Sequence, residues 1–308
     1  MMQLEFDKVK ALLSAHCNTV YAKYKADNLR IHTRLDYIEP ELQQSNEYKQ
    51  LLLNGQYFPN DIVPDLSKEL KLLSIPGAVL KEESLVEIRK LAENTRQVFH
   101  WIDDERRTAW PALVKIVQHS HYEKNITALI SAVLDEGGNV KDTASGELAQ
   151  IRTSLIRKRA ELRRVFDRVV AKWNKSGYVS DIEEAFLNGR RVVAVHAEYK
   201  RQVKGILLGE SDSRKTAFIE PDETIELNNE VFGLEHEESR EVYRILRTLT
   251  EQLSVYAPLL KEYHIIMGEY DFIRAKAKLA IDTGGNFPLL HDRAIIHIIR
   301  AHHPLLFL

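Results

Sequence analysis

The sequence predicts a mainly α protein: a helical core, two long antiparallel helices, and a small antiparallel β-sheet inserted between the tips of those helices. Three observations predict it. Between Arg190 and Leu253 the apolar period changes from two, as in strands, to three and four, as in a helix. A second long helical run, Glu147 to Trp173, precedes the strand-like patch, so the strands read as an insertion between two helix ends. Opposite charges crowd those ends, with Arg163, Arg164, Arg168, Lys172 and Lys175 closing the first helix and Glu230, Glu235, Glu237, Glu238 and Glu241 opening the second. An antiparallel pair brings the two clusters side by side, and each sits at the terminus its helix dipole prefers. The competing reading is two solvated faces that ignore each other.

In chain order, Leu4 to Leu13 and Pro40 to Leu53 read as amphipathic helices, the second started by Pro40 and stopped by Asn54-Gly55. A proline-rich loop follows, and Leu85, Ile88, Leu91, Thr95, Val98 and Ile102 then mark another helical face. Trp110-Pro111 closes that helix and opens the next, with shorter helices at about Ala112 to His119 and Lys124 to Leu134 before the Gly137-Gly138 break. The first long helix carries Leu148, Ile151, Leu155, Leu162, Phe166, Val169 and Trp173 at seam spacing.

Within the insertion, Asn188-Gly189 is the sharpest signal, because both residues tolerate the positive φ of a two-residue hairpin turn. Strands are expected near Ile182–Leu187, Arg191–His196, Val203–Leu208 and Lys215–Ile219, with Glu220-Pro221 ending the sheet. The second long helix shows Val242, Leu246, Leu249, Leu253, Tyr256, Leu260, Tyr263 and Met267 in an unbroken seam that crosses Pro258. A kink near Ala257 or two abutting helices must result, and the continuous seam favours the kink. Asp271 to Ile281 is a further short helix and Gly284-Gly285 a turn. The expected division is helical core over 1–140, first long helix over 141–175, β-rich insertion over 176–230, second long helix over 231–267, and a return to the core over 268–308.

Composition limits function. With 43 lysines and arginines against 45 aspartates and glutamates, the net charge is −2, so nucleic-acid binding has to rest on a local patch. The single cysteine, Cys17, allows no internal disulfide and reads as a buried helical thiol. Lacking a long apolar run and a signal-peptide pattern, the chain is expected in the cytoplasm.

VKDTASGELAQIR (Val140 to Arg152), GRRVVAVHAEYKRQVKGILLGESDSRKTAFIEPDETIELNNE (Gly189 to Glu230), REVYRILRTLT (Arg240 to Thr250), DFIRAKAKLA (Asp271 to Ala280) and HHPLL (His302 to Leu306) stand in an order that resembles the MutS family. The closest likeness is to its second bacterial branch, which lacks the mismatch-reading and connector domains. That resemblance implies a helical core, two lever helices and a β-rich clamp between the lever tips. It also implies an ATPase domain beyond the HPLL segment, with ATP and magnesium as its cofactors and a homodimer formed mainly through it. No GxxxxGK[ST] loop occurs in the sequence, and Ser213-Arg214-Lys215-Thr216 lacks the glycines that let backbone amides wrap a phosphate. The sequence is therefore expected to be part of a longer chain and to hold no catalytic residues, cofactor or metal of its own. Where the branch usually carries Ser-Gly before TAFIEP, this chain carries Ser213-Arg214.

Candidate chemistry is sparse. His119, His121 and Glu123 lack further clustered ligands for a metal, and His302-His303 before Pro304 reads as a turn or core position. Glu220, Asn228 and Asn229 imitate catalytic partners, but a helix cap by either asparagine is the simpler expectation. Arg190, Arg191, Lys200, Arg201, Lys204, Arg214 and Lys215 cluster near the turns of the sheet, as sequence-independent contact with phosphates requires. Glu198, Glu210, Asp212, Glu220, Asp222 and Glu223 oppose them, so an ordinary solvated surface competes. Two functions follow: a clamp and lever module gripping duplex or branched DNA in repair or recombination control, or a scaffold gripping a protein or a ribonucleoprotein such as the ribosome.

Overall fold

A computed structural model describes residues 5–61, 63–291, 295–299 and 303–307. The chain divides into two compact units, Val140–Leu246 and the flanking stretches up to Asn139 and from Arg247.

The flanking unit is helical. It contains α1 (Phe6–His16), α2 (Val20–Asp27), α3 (Leu35–Leu53), α4 (Ser67–Leu72), α5 (Glu82–Trp101), α6 (Asp104–Ala109), α7 (Pro111–Val114) and α8 (Lys124–Val133). Between this unit's two halves the chain builds α9 (Gly146–Lys175), the four strands, and α10 (Ile225–Ser254), whose last turns from Arg247 rejoin the unit ahead of α11 (Ala257–Asp282) and α12 (Pro304–Phe307).

Helix α11 is the axis of the helical unit, packing against α1, α2, α3 and α5. Leu260, Tyr263, Met267, Tyr270, Phe272 and Ala275 bury its several faces, as a helix covered all round requires. Asp271 lies buried within it and accepts from the amides of Asn18 and Thr19 at 2.8 and 2.7 Å, satisfying orphan donors where α2 begins. At Gly268 a Cβ would stand 2.5 Å from a ring carbon of Tyr21, so only glycine admits this approach of α2.

Three sequence expectations change here. Helix α3 begins at Leu35, leaving Pro40 inside it rather than at its start, on a partly exposed helix. The second long helix does not kink but breaks between Ser254 and Ala257, with Pro258 in the first turn of α11, where its missing N–H costs nothing. The expected short helix from Asp271 is the second half of α11 itself. Leu4, where the first helix is expected to start, and His302 of the HHPLL segment lie outside the described residues.

In the Val140–Leu246 unit α9 is started by Ser145, whose hydroxyl accepts from the Leu148 amide at 3.0 Å and caps the helix. Four antiparallel strands, β1 (Val179–Leu187), β2 (Arg190–His196), β3 (Gly205–Glu210) and β4 (Thr216–Pro221), lie in the order β1-β2-β4-β3. Asn188 and Gly189 turn β1 into β2 with φ of 52° and 77°, the double left-handed pair of a type I′ hairpin. Phe166, Val169 and Trp173 of α9 pack on Val193, Val195, Ala217 and Ile219, so the last turns of α9 and the sheet share one core. Nearer its start, α9 uses Ile151, Leu155 and Leu162 against Val231, Leu227 and Leu234 of α10.

Candidate nucleic-acid interface

Strand register decides which of the seven predicted cations meet. His196 at the end of β2 faces Thr216 at the start of β4, while Gly205 at the start of β3 faces Pro221 at the end of β4. The segment from Ala197 to Lys204 therefore crosses from one end of the sheet to the other. At the first end, the Ala197 amide donates to the Lys215 carbonyl at 2.9 Å, joining the β2–β3 and β3–β4 connections. Lys200, Arg201, Arg214 and Lys215 gather there. Arg190, Arg191 and Lys204 belong to the opposite end, next to the Asn188-Gly189 turn and the start of α10.

Arg190 and Arg191 are engaged inside the fold. The Arg190 guanidinium donates to Glu220 at 2.6 Å and also to Asn229, and Glu220 is 1% exposed. Asn228, 3% exposed, completes the set: its amide nitrogen donates to Glu220 at 2.8 Å, and its oxygen accepts from the Arg191 amide at 3.3 Å. Neither asparagine caps α10, which begins three residues before Asn228. Together they fasten the sheet end to the helix, because a buried carboxylate holds only when its lone pairs are met. Arg191 pairs with Glu184 at 2.7 Å and lies 4.9 Å from the Phe166 ring centroid, its side chain 10% exposed.

The tip is different. Arg201, Arg214 and Lys215 are exposed and make no ion pair among the described residues, and Lys204 is likewise exposed at the far end. Lys200 alone is taken up, by Glu210. Its hydrogen bond and charge hold the Glu210 carboxyl below the ordinary range, and the nearby Arg214 adds to the effect. Arg214 has φ of 53°, and its amide donates to the Ser211 carbonyl at 2.8 Å. The turn holds a left-handed residue, the conformation glycine adopts freely, and here an arginine bears roughly 1–2 kcal/mol of strain. The same turn presents its charge to solvent.

The lever charges meet in another register than the sequence suggests. Arg152 binds Glu238 at 2.7 Å, Lys158 binds Glu230 at 2.5 Å and Arg159 binds Glu235 at 2.6 Å, an antiparallel progression along α9 and α10. Arg163, Arg164 and Arg168 form no ion pair with these glutamates, although Arg163 and Glu235 line one cavity. Arg163 instead approaches Asp167 of its own helix at 3.8 Å.

Elsewhere, Glu123 accepts from the Asn125 amide at 2.9 Å as the cap of α8, and the His121 carbonyl accepts from the Tyr263 hydroxyl at 2.8 Å. Among the described residues no group of three or more histidine, cysteine or acidic side chains is placed to hold a metal ion. Burial pushes the Cys17 thiol up to about 11. No described helix is long and apolar enough to cross a membrane.

No protein-family model matches the chain. Among curated proteins, the Endonuclease MutS2 of Aquifex aeolicus (strain VF5) is 28% identical over 308 residues, covering 100% of this chain and 40% of that protein. Those of Geobacillus sp. (strain WCH70) and Listeria welshimeri serovar 6b are each 30% identical over 98% of this chain and 39% of their own length. The chain thus spans about 40% of the length of the curated relatives it matches. These similarities cover nearly every residue of a chain whose two 30-residue helices flank one small antiparallel sheet. Over nearly its whole length the chain is similar to proteins of the MutS2 branch of the MutS family.

Proposed function

We propose that these residues are the gripping segment of a MutS-type DNA-binding ATPase, and that the sheet tip holds the DNA backbone without reading its sequence. One observation carries this reading: Arg201, Arg214 and Lys215 stand without an ion pair among the described residues at one end of the sheet, with Arg214 kept in a left-handed turn. Backbone strain at an exposed cation is retained against a stability cost, as at sites that serve a ligand. Guanidinium and ammonium groups without a regular array of base-edge contacts bind phosphate by charge, releasing condensed counterions. Two such arms closing on a duplex raise the effective concentration of each. In this reading the whole protein is a homodimer in the cytoplasm that uses ATP and magnesium in repair or recombination control. The endonuclease activity in its relatives' name likewise belongs to the whole protein.

The test combines Arg201→Ala, Arg214→Gly and Lys215→Ala and measures fluorescence anisotropy with duplex and branched DNA across a salt series. The slope of log affinity against log salt should become shallower by about 2.7 units, equally for all sequences. Arg214→Gly alone should stabilise the fold by about 1 kcal/mol while weakening binding, because glycine adopts positive φ freely. An unchanged slope sinks the tip reading, and capture of ribosomes without duplex affinity replaces it by the scaffold.

A further inference from the structure

The outer face of α9 carries a second basic surface that the tip does not include. Arg157, Arg164, Arg168, Lys172 and Lys175 are all exposed, and intervals of seven, four, four and three residues put them on one helical face. It lies opposite the buried seam of Leu155, Leu162, Phe166, Val169 and Trp173. None of the five makes an ion pair among the described residues. The acids closest to them along the helix are already taken, Glu161 by Lys158 at 3.4 Å and Asp167 by Arg163 at 3.8 Å.

This arrangement works against folding. Like charges four residues apart on a helix repel, and the dipole favours cations only in the last turn, where Lys172 and Lys175 sit. A chain of net charge −2 does not acquire such a stripe from a basic composition. Its flanks hold Ala160 and Ala171 rather than aromatic rings, which suits phosphates and offers bases nothing to stack on. From Arg157 to Lys175 the face runs about 27 Å at 1.5 Å per residue. That length matches about eight base-pair steps. Its far end meets the tip: Tyr178, three residues after Lys175, packs against Tyr199 with ring centroids 5.1 Å apart, and Lys200 follows.

We propose that this face of α9 is a phosphate track that holds duplex DNA along the lever, in addition to the grip at the sheet tip. The two surfaces fail separately. The test is the combined variant Arg164→Gln, Arg168→Gln and Lys172→Gln in the 308-residue chain. Glutamine keeps the helix propensity of arginine and lysine. With a labelled duplex of about thirty base pairs, the salt slope should become shallower by about 2.7 units, and affinity at low salt should fall about tenfold or more. Thermal stability should stay the same or rise, since repulsion is relieved.

Wild-type slope and affinity in this variant overturn the track, as does a loss of affinity matched by a loss of stability. If only the tip variant loses binding, the tip reading stands and the track falls; if only the track variant loses it, the reverse holds. A poly-glutamate peptide that binds through these three residues while the duplex does not would assign the face to an acidic protein and overturn the proposal.

Discussion

Helix α9 carries the same residue types along its length and gives them opposite fates. From Arg152 to Arg159 each cation that faces α10 is held by a glutamate within 2.7 Å, whereas from Arg164 to Lys175 the cations face solvent. Nothing in side-chain chemistry separates the two halves. What separates them is where α10 begins, at Ile225, which leaves the last turns of α9 to pack on the sheet instead. The sheet repeats the division, with Arg190 and Arg191 spent on the fold and Arg201, Arg214 and Lys215 left outward. Pairing, more than charge, distinguishes a structural cation from one available to a ligand.

The largest expected effect breaks that distinction at its deepest point. Arg190→Ala leaves Glu220 buried without its cation and should cost about 2–4 kcal/mol in chemical denaturation, somewhat less than a fully buried pair because the arginine is partly exposed. Its salt slope for DNA should stay at the wild-type value. A stable Arg190→Ala with a shallower slope would return Arg190 to the phosphate-binding set and blur the contrast.

A smaller effect separates the two halves of α9. Reversing Arg152 and Arg159 to glutamate should destabilise the helix pair by about 1–2 kcal/mol in all, with partial recovery when Glu238 and Glu235 become arginine. Reversing Arg163, Arg164 and Arg168 should leave stability within about 0.5 kcal/mol, because none of them is paired with a carboxylate of α10. Urea titrations of the two sets decide it. Equal losses would mean that the helices meet in the register that their terminal charge clusters suggest.

What the sequence makes legible is local. The hairpin at Asn188-Gly189 is encoded in two adjacent residues, and the helix seams in apolar spacing, so both can be read without a partner. Register is not local. The seam beyond Leu246 continues the period of the lever pair, yet α9 packs on Leu227, Val231 and Leu234, and Leu249 and Leu253 serve the helical unit. An unbroken period names a buried face and not its neighbour. The burial of Arg191 is hidden for a related reason: Val192, Val193, Ala194 and Val195 are all 0% exposed, so β2 is covered on both faces and its alternation carries no sign. Of the seven predicted phosphate contacts, the tip residues sit on turns, where charge and exposure go together. Of those at the other end, Lys204 is exposed like the tip residues, whereas Arg190 and Arg191 needed Glu220, Asn228 and Asn229 to be seen beside them.

The smallest effect contrasts two lowered carboxylates. Arg244, with help from Ser145, holds Glu241 in the lever pair below its ordinary value of 4.5, while Lys200 does the same for the exposed Glu210 at the tip. A carboxylate whose folded pKa is lowered contributes stability that is present above its unfolded value and lost as pH falls through the folded one. Unfolding midpoints in urea should therefore fall as the solution is acidified from pH 6 to below 4.5, and Glu241→Gln should remove part of that fall, on the order of a few tenths of a molar. Glu210→Gln should leave the midpoints nearly as they were and strengthen duplex binding, because it releases Lys200 beside Arg214. If Glu210→Gln removes the acid dependence and Glu241→Gln does not, the tip pair is a structural element, and the line between paired lever and open tip has to be redrawn.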